Sequence, residues 1–135
     1  MGFRGEMRRA LGGAGRPVIE ISDSEGLDAT IEQLVLDALD RHPEIGAVYS
    51  IGGGNVATIR AFEQRGREYR VFIAHDLDED NRTLLRARKI SAVLHHDLRA
   101  DANIAGRLII QSHGGLRGVA PTMSAIRVVT PHNMA

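Results

Sequence analysis

The feature that most limits the fold of this chain is an alternation that runs almost its whole length. Short β-branched or apolar runs give way repeatedly to longer segments whose apolar positions recur at helical spacing. "VIEIS" (18–22), "AVYSI" (47–51), "YRVFIAH" (69–75), "ISAVLHH" (90–96) and "MSAIRVVT" (123–130) read as strands. After the first of them, Leu27, Ile31, Leu34, Val35, Ala38 and Leu39 recur three or four residues apart, the period of a helix. Pro43 ends that segment, because it has no N–H with which to continue the helical ladder. Further helices are expected over 55–65, 78–89 and 98–115, with a short amphipathic one over 3–11 stopped by "GGAG". Asp78 and Asp80 suit the first turn of the 78–89 helix, where a negative charge meets the positive end of the helix dipole.

Strands separated by helices pair through crossovers rather than hairpins, which makes βαβ units and a mostly parallel sheet. Right-handed crossovers then place helices on both faces of it. The expected class is therefore α/β, an open, mostly parallel sheet flanked by helices on both faces. At 135 residues the chain is one domain or part of one.

Composition narrows the partners. Seventeen basic residues balance seventeen acidic ones, so no net field draws the chain to nucleic acid or to a membrane surface. Without cysteine there is no disulfide, no thiolate nucleophile and no Cys-based zinc site. No apolar run reaches membrane-spanning length, and the start "MGFRGEMRRALGG" is too charged for a signal peptide.

In open α/β sheets ligands bind at the carboxyl ends of the strands. Those ends are "SDSEG" (22–26), "SIGGGN" (50–55), "HDLDED" (75–80) and "HHDLR" (95–99). Asp23, Ser24, Ser50, Asn55, His75, Asp76, His96, Asp97 and Arg99 are the groups that could converge on such a rim. Several have a plainer use, since Asp23, Ser24, Asn55 and Asp78 are all good helix caps. His95 and His96 are adjacent on a strand and point to opposite faces, so only one can serve a given site. No third ligand at useful spacing accompanies them, and no metal is expected. "GGGNVATIR" lacks the third glycine of a dinucleotide fingerprint and the Lys-Ser/Thr of a P-loop. What it offers is a loop where Gly52, Gly53 and Gly54 let the backbone approach a small neutral ligand, with Asn55 as donor and acceptor. With no G-x-S-x-G elbow and no cysteine, the chain is not expected to be an enzyme, and no cofactor is implied. A small α/β enzyme using His75, Asp76 and His96 is the remote alternative.

Taken together the segments resemble the effector-binding domain of lac-repressor-type transcription regulators, which shares its fold with type I periplasmic sugar-binding proteins. "GFRGEMRRAL" is similar to the helix after the first strand of that domain's C-terminal lobe. "HPEIGAVYSIGGGNVATIRAFEQRGREYRVFIAHDL", "KISAVLHHDLRADANIAGRLIIQ" and "IRVVTPHN" follow in the family's order and spacing. The resemblance implies a sugar-type effector held between two lobes whose closure alters the grip of an N-terminal helix-turn-helix on DNA. It places Asp76 where the family's acid meets sugar hydroxyls, and His96 where an amide or acid is usual. It aligns Gly53, Gly54 and Asn55 with the loop lining the cleft, His75 beside Asp76, and Ser24 with a turn that often carries an aromatic residue, absent here.

On that resemblance the chain is one lobe of a type I periplasmic-binding-protein-like fold lacking its first strand. Residues 1–97 and 116–135 belong to the C-terminal lobe, and the 98–113 helix is expected to pack on an N-terminal lobe outside this sequence. A piece of a longer cytoplasmic regulator is the leading expectation, reaching DNA only through a helix-turn-helix outside this sequence. A piece of an exported sugar-binding protein of an ABC transporter is the alternative. The unpaired surfaces of Ile104, Leu108 and Ile109 lead one to expect a homo-oligomer.

Overall fold

The structure, a computed structural model, describes residues 2–10, 18–22 and 28–134. The elements follow the sequence pattern closely. They are α1 (Phe3–Ala10), α2 (Asp28–Arg41), β1 (Ala47–Tyr49), α3 (Asn55–Gln64), β2 (Val71–His75), α4 (Glu79–Arg86), β3 (Ala92–His96), α5 (Leu98–Ser112) and β4 (Ile126–Val129). The sheet runs β1-β2-β3-β4. Its first three strands are parallel and β4 is antiparallel to β3, with Val48 beside Phe72, Ala74 beside Val93, and Val93 beside Val129.

Strand side chains alternate between faces, and the two faces of this sheet differ sharply. Val48, Phe72, Ala74, Val93 and Val129 share one of them, and Phe72, Ala74 and Val93 are fully buried there. Ile59 of α3, Leu85 of α4 and Ile90 cover them. Beside that cluster, Ile31, Val35, Leu36 and Leu39 of α2 close on Ala57, Ala61 and Phe62 of α3. Tyr69 joins the two clusters, its ring edge-on to Phe62 at 5.0 Å and to Phe72 at 5.5 Å.

The second face carries Tyr49, Val71, Ile73, His75, Leu94, His96, Ile126 and Val128, none of them buried. Among the described helices α1 reaches it, by stacking Phe3 on Tyr49 at a ring separation of 4.1 Å. Arg4 of α1 also pairs with Glu20. Helices thus lie on both faces, but three pack one side and a single ring covers part of the other. The long helix α5 buries none of its residues.

One expected element is corrected. Residues 18–22 form no strand and have no place in the sheet. Ser50 N–H bonds Ile73 O at 2.8 Å and Arg70 N–H bonds Gly46 O at 2.8 Å, so the even-numbered backbone of this segment faces β2. Alternate residues of a parallel strand bond to alternate sides, so Ala47 and Tyr49 turn their backbone groups to the outer edge. Val18, Ile19, Glu20 and Ile21 make no backbone hydrogen bond to that edge. Propensity alone does not make a strand of Val18 to Ile21 where the backbone does not join the ladder.

Candidate functional site

The carboxyl ends of β1, β2 and β3 lie side by side along the parallel part of the sheet, as the topology requires. In the turn from β1 into α3, Gly54 has a left-handed φ of 76° and occupies the N-cap position. A Cβ there would stand 2.1 Å from Ile31 Cδ1. This glycine is demanded by its backbone and by the seating of α2 on α3, before any ligand is considered. Gly53, by contrast, has open space beside it. Asn55 is not the cap of α3. It is the first helical residue, 5 % exposed, and its Nδ2 donates to Asn81 Oδ1 at 2.8 Å.

The turn from β2 into α4 is the strained one. Asp76 N–H donates to Leu94 O at 2.9 Å, extending the β2–β3 ladder by one residue. The chain then bends through φ 61° at Asp76, a conformation that few side-chain-bearing residues adopt. Asp78 caps α4, accepting from Asn81 N–H at 2.7 Å. Asn81, 1 % exposed, spends its own amide on the same turn, donating to His75 O at 2.9 Å and Asp76 O at 2.8 Å. It is therefore the side chain that joins Asn55 to the His75–Asp76 turn.

On the bare face a row of rings leads away from this knot. Tyr49 Oη lies 2.8 Å from His75 Nε2, and His75 stacks near His96 with ring centroids 6.4 Å apart. His96 Nδ1 lies 3.4 Å from Ser124 Oγ, which donates to Asp101 Oδ2 at 2.6 Å. Histidine and acid both meet the serine and not each other, so the row lacks the base–orienter contact of a nucleophilic triad. His95 points to the opposite face and accepts from Leu77 N–H at 3.3 Å, a structural role. Asp97 caps α5 through Ala100 N–H at 3.0 Å.

The expected residues are thus partly united. Asn55, His75 and Asp76 meet through Asn81, and His96 stands beside His75. Ser50 Oγ donates to Gly52 O at 3.2 Å and helps shape the glycine loop. Arg99 is exposed. Asp23 and Ser24 lie outside the described residues. Sequence reasoning passed over Tyr49, Asn81, Asp101 and Ser124. Asn81 left one trace, since Asp78 three residues before it is a capping spacing.

Two atoms set the chemistry of this rim. Asn55 Oδ1 and Asp76 Oδ1 are buried and have no hydrogen-bond donor among the described residues. Both are acceptors. Buried polar atoms are ordinarily paired, so two unsatisfied acceptors on one knot stand out. No ion pair among the described residues includes Asp76. Among them, too, no three His, Asp or Glu side chains gather closely enough to hold a metal ion.

No family model matches the chain, and no characterised protein sequence does. Solved structures do. A glucose-galactose binding protein, GanP, from Geobacillus stearothermophilus superposes with a TM-score of 0.76 at 18 % identity, over 94 % of this chain and 46 % of that one. A sugar-binding protein of a sugar ABC transporter from Bacillus halodurans gives 0.66 at 23 % identity, over 93 % of this chain and 48 % of that one. An ABC transporter solute-binding protein from Agrobacterium vitis, with bound D-fucose, gives 0.67 at 16 % identity, over 96 % and 46 %. This chain spans less than half the length of each. The chain shares the fold of a little under half of each of these proteins, a four-stranded, mostly parallel sheet with helices.

Proposed function

We propose that this chain supplies one wall of a sugar-binding cleft, formed by the carboxyl ends of β1, β2 and β3. The observation that carries the reading is the pair of donorless buried acceptors, Asn55 Oδ1 at the start of α3 and Asp76 Oδ1 at a turn with φ 61°. A polyol brings several hydroxyl donors to acceptors of this kind, and a carboxylate such as that of Asp76 accepts the strongest of those bonds. His75 and His96, with ring centroids 6.4 Å apart, lie beside it, and the exposed Gly53 leaves room for the ligand to approach. Solved proteins of this fold include ones named for glucose and galactose, for arabinose, and one holding D-fucose, which supports a monosaccharide as the ligand class.

The whole protein is best read as a sugar-binding protein that serves an ABC transporter, since that is what several of the similar solved proteins are named. The second reading is the sensing lobe of a cytoplasmic lac-repressor-type regulator. The order of the segments at 2–11, 42–77, 89–111 and 126–133 favours it. A helix-turn-helix or an export signal in the same gene decides between them.

The test of the site is a titration of the isotope-labelled chain with D-glucose, D-galactose, D-fucose and D-arabinose, followed by NMR. One wall holds a sugar weakly, so a Kd in roughly the millimolar range is expected. Shifts should gather at Gly53, Asn55, His75, Asp76 and His96, and Asp76→Ala should remove them while the fold persists. Shifts that gather elsewhere, or that survive Asp76→Ala, would defeat the assignment.

A further inference from the structure

The hydrogen-bond knot beneath the rim has a direction. Backbone carbonyls only accept. His75 O and Asp76 O both face the Asn81 amide, at 2.9 and 2.8 Å, so the atom turned to them is the nitrogen, with one hydrogen for each. The opposite setting would press Oδ1 against two carbonyl oxygens. Asn81 Oδ1 must then face Asn55, and it too can only accept. Asn55 is left to present Nδ2 to it, at 2.8 Å, and to turn its own Oδ1 away. The orientation of an amide is usually a choice between two near-equal settings. Here the main chain dictates it, through two side chains in series. The same two bonds hold the carbonyl side of the Asp76 turn, while Leu94 O holds its N–H side. A residue with a side chain stays at φ 61° because both flanks are pinned.

We propose that Asn81 is the positioning residue of this rim, fixing the polarity of Asn55 and the turn of Asp76 together, so that the ligand is read through acceptors and selected for its hydroxyl donors. Nothing in its position touches the ligand. The inference rests on the reading of the rim as a sugar-binding wall, and it specifies the chemistry that the wall selects. A sugar whose recognised hydroxyl is replaced by fluorine keeps its shape and loses its donor, so it binds poorly to such a wall.

The experiment compares D-galactose with its singly deoxyfluorinated analogues on the wild-type chain, on Asn81→Asp and on Asn81→Leu. Asn81→Asp keeps the volume and an acceptor for Asn55 but sets an oxygen against the two carbonyls. Asn81→Leu releases Asn55 altogether. On the wild type, fluorination at a recognised position should weaken binding by about tenfold or more. In both variants the parent sugar should lose affinity and the tenfold preference should shrink toward one. A merely structural role lowers both affinities alike and leaves their ratio standing, and that result overturns the proposal.

A second readout needs no ligand. The Asn55 side-chain amide should exchange slowly with solvent in the wild type and quickly in Asn81→Leu. Fast exchange in the wild type also overturns the proposal, even where neither variant folds. If no sugar binds the wild type, the sugar reading fails by itself, and the amide exchange still decides whether Asn81 holds Asn55.

Discussion

Val71 and Phe72 are neighbours in β2 with opposite surroundings. Phe72 is fully buried beneath α3 and α4, whereas Val71 is 36 % exposed on the far face. The same contrast runs across the sheet, from Val93, fully buried, to Val128, 55 % exposed. Parallel sheets are normally covered on both sides, and their strands read as continuous apolar runs for that reason. These strands read that way too, yet only one face is closed within the described residues. The closed face holds the fold together, and the proposed ligand wall lies at the rim of the open one.

The largest effect that separates the faces is a truncation on each. Phe72→Ala should cost about 3–5 kcal/mol, the usual loss for a buried aromatic that leaves a cavity. Val71→Ser, one residue away, should cost less than about 1 kcal/mol, as surface changes do. Denaturant titration of both variants gives the comparison. A Val71→Ser loss as large as that of Phe72→Ala would mean that the open face is covered in solution. The cover expected is a second copy of the chain, since Ile126 and Val128 lie 57 and 55 % exposed on that face and Ile109 of α5 is 61 % exposed. Light scattering across a concentration series then shows a dimer, and Val128→Ser weakens it.

A smaller effect tests the joint between α2 and α3 on the closed side. Gly54→Ala meets Ile31 and forces a side chain onto a left-handed backbone, which should cost about 1–3 kcal/mol. Gly53→Ala, with open space around it, should cost little and serves as the control. Equal losses would show that the glycine loop is valued for its own turn and not for the packing of α2.

How much of this was legible in the sequence follows the same division. The closed face was legible because burial imposes a period, and the helix of Ile31, Val35 and Leu39 or the strand of Phe72 and Ala74 announces itself by spacing. The rim could be shortlisted, because strand carboxyl ends are a topological position, and Asn55, His75, Asp76 and His96 all stand there. Residues 18–22 were misread because a strand is a relation between two backbones, and the sequence shows only one of them. Asn81 was missed for a related reason. Its importance lies in two carbonyls of the turn before it and an amide from another turn, and a polar residue in the first turn of a helix gives no sign of them. The capping use that the sequence offers Asn55 is local, whereas the partner it holds lies 26 residues away.

The smallest effect concerns the two tyrosines of the chain, one on each side of the sheet. Tyr69 lies on the closed side, edge-on to Phe62 and Phe72, with its hydroxyl donating to Lys89 O at 2.7 Å. Burial pushes its phenol above the ordinary value of 10.0, against a smaller pull from the charge of Lys89. The folded state therefore prefers the neutral ring more than the unfolded chain does. Its contribution to stability is complete below the unfolded phenol's range and is lost as pH rises through the folded value, because the unfolded chain gives up its proton first. Stability should fall on the alkaline side of about pH 10, and Tyr69→Phe, which cannot ionise, should flatten that limb. Phenolate absorbance supplies the matching titration, with the late component absent from Tyr69→Phe. An alkaline limb unchanged by Tyr69→Phe would place the loss elsewhere, and would mean that the aromatic end of the closed face admits water more freely than its packing implies.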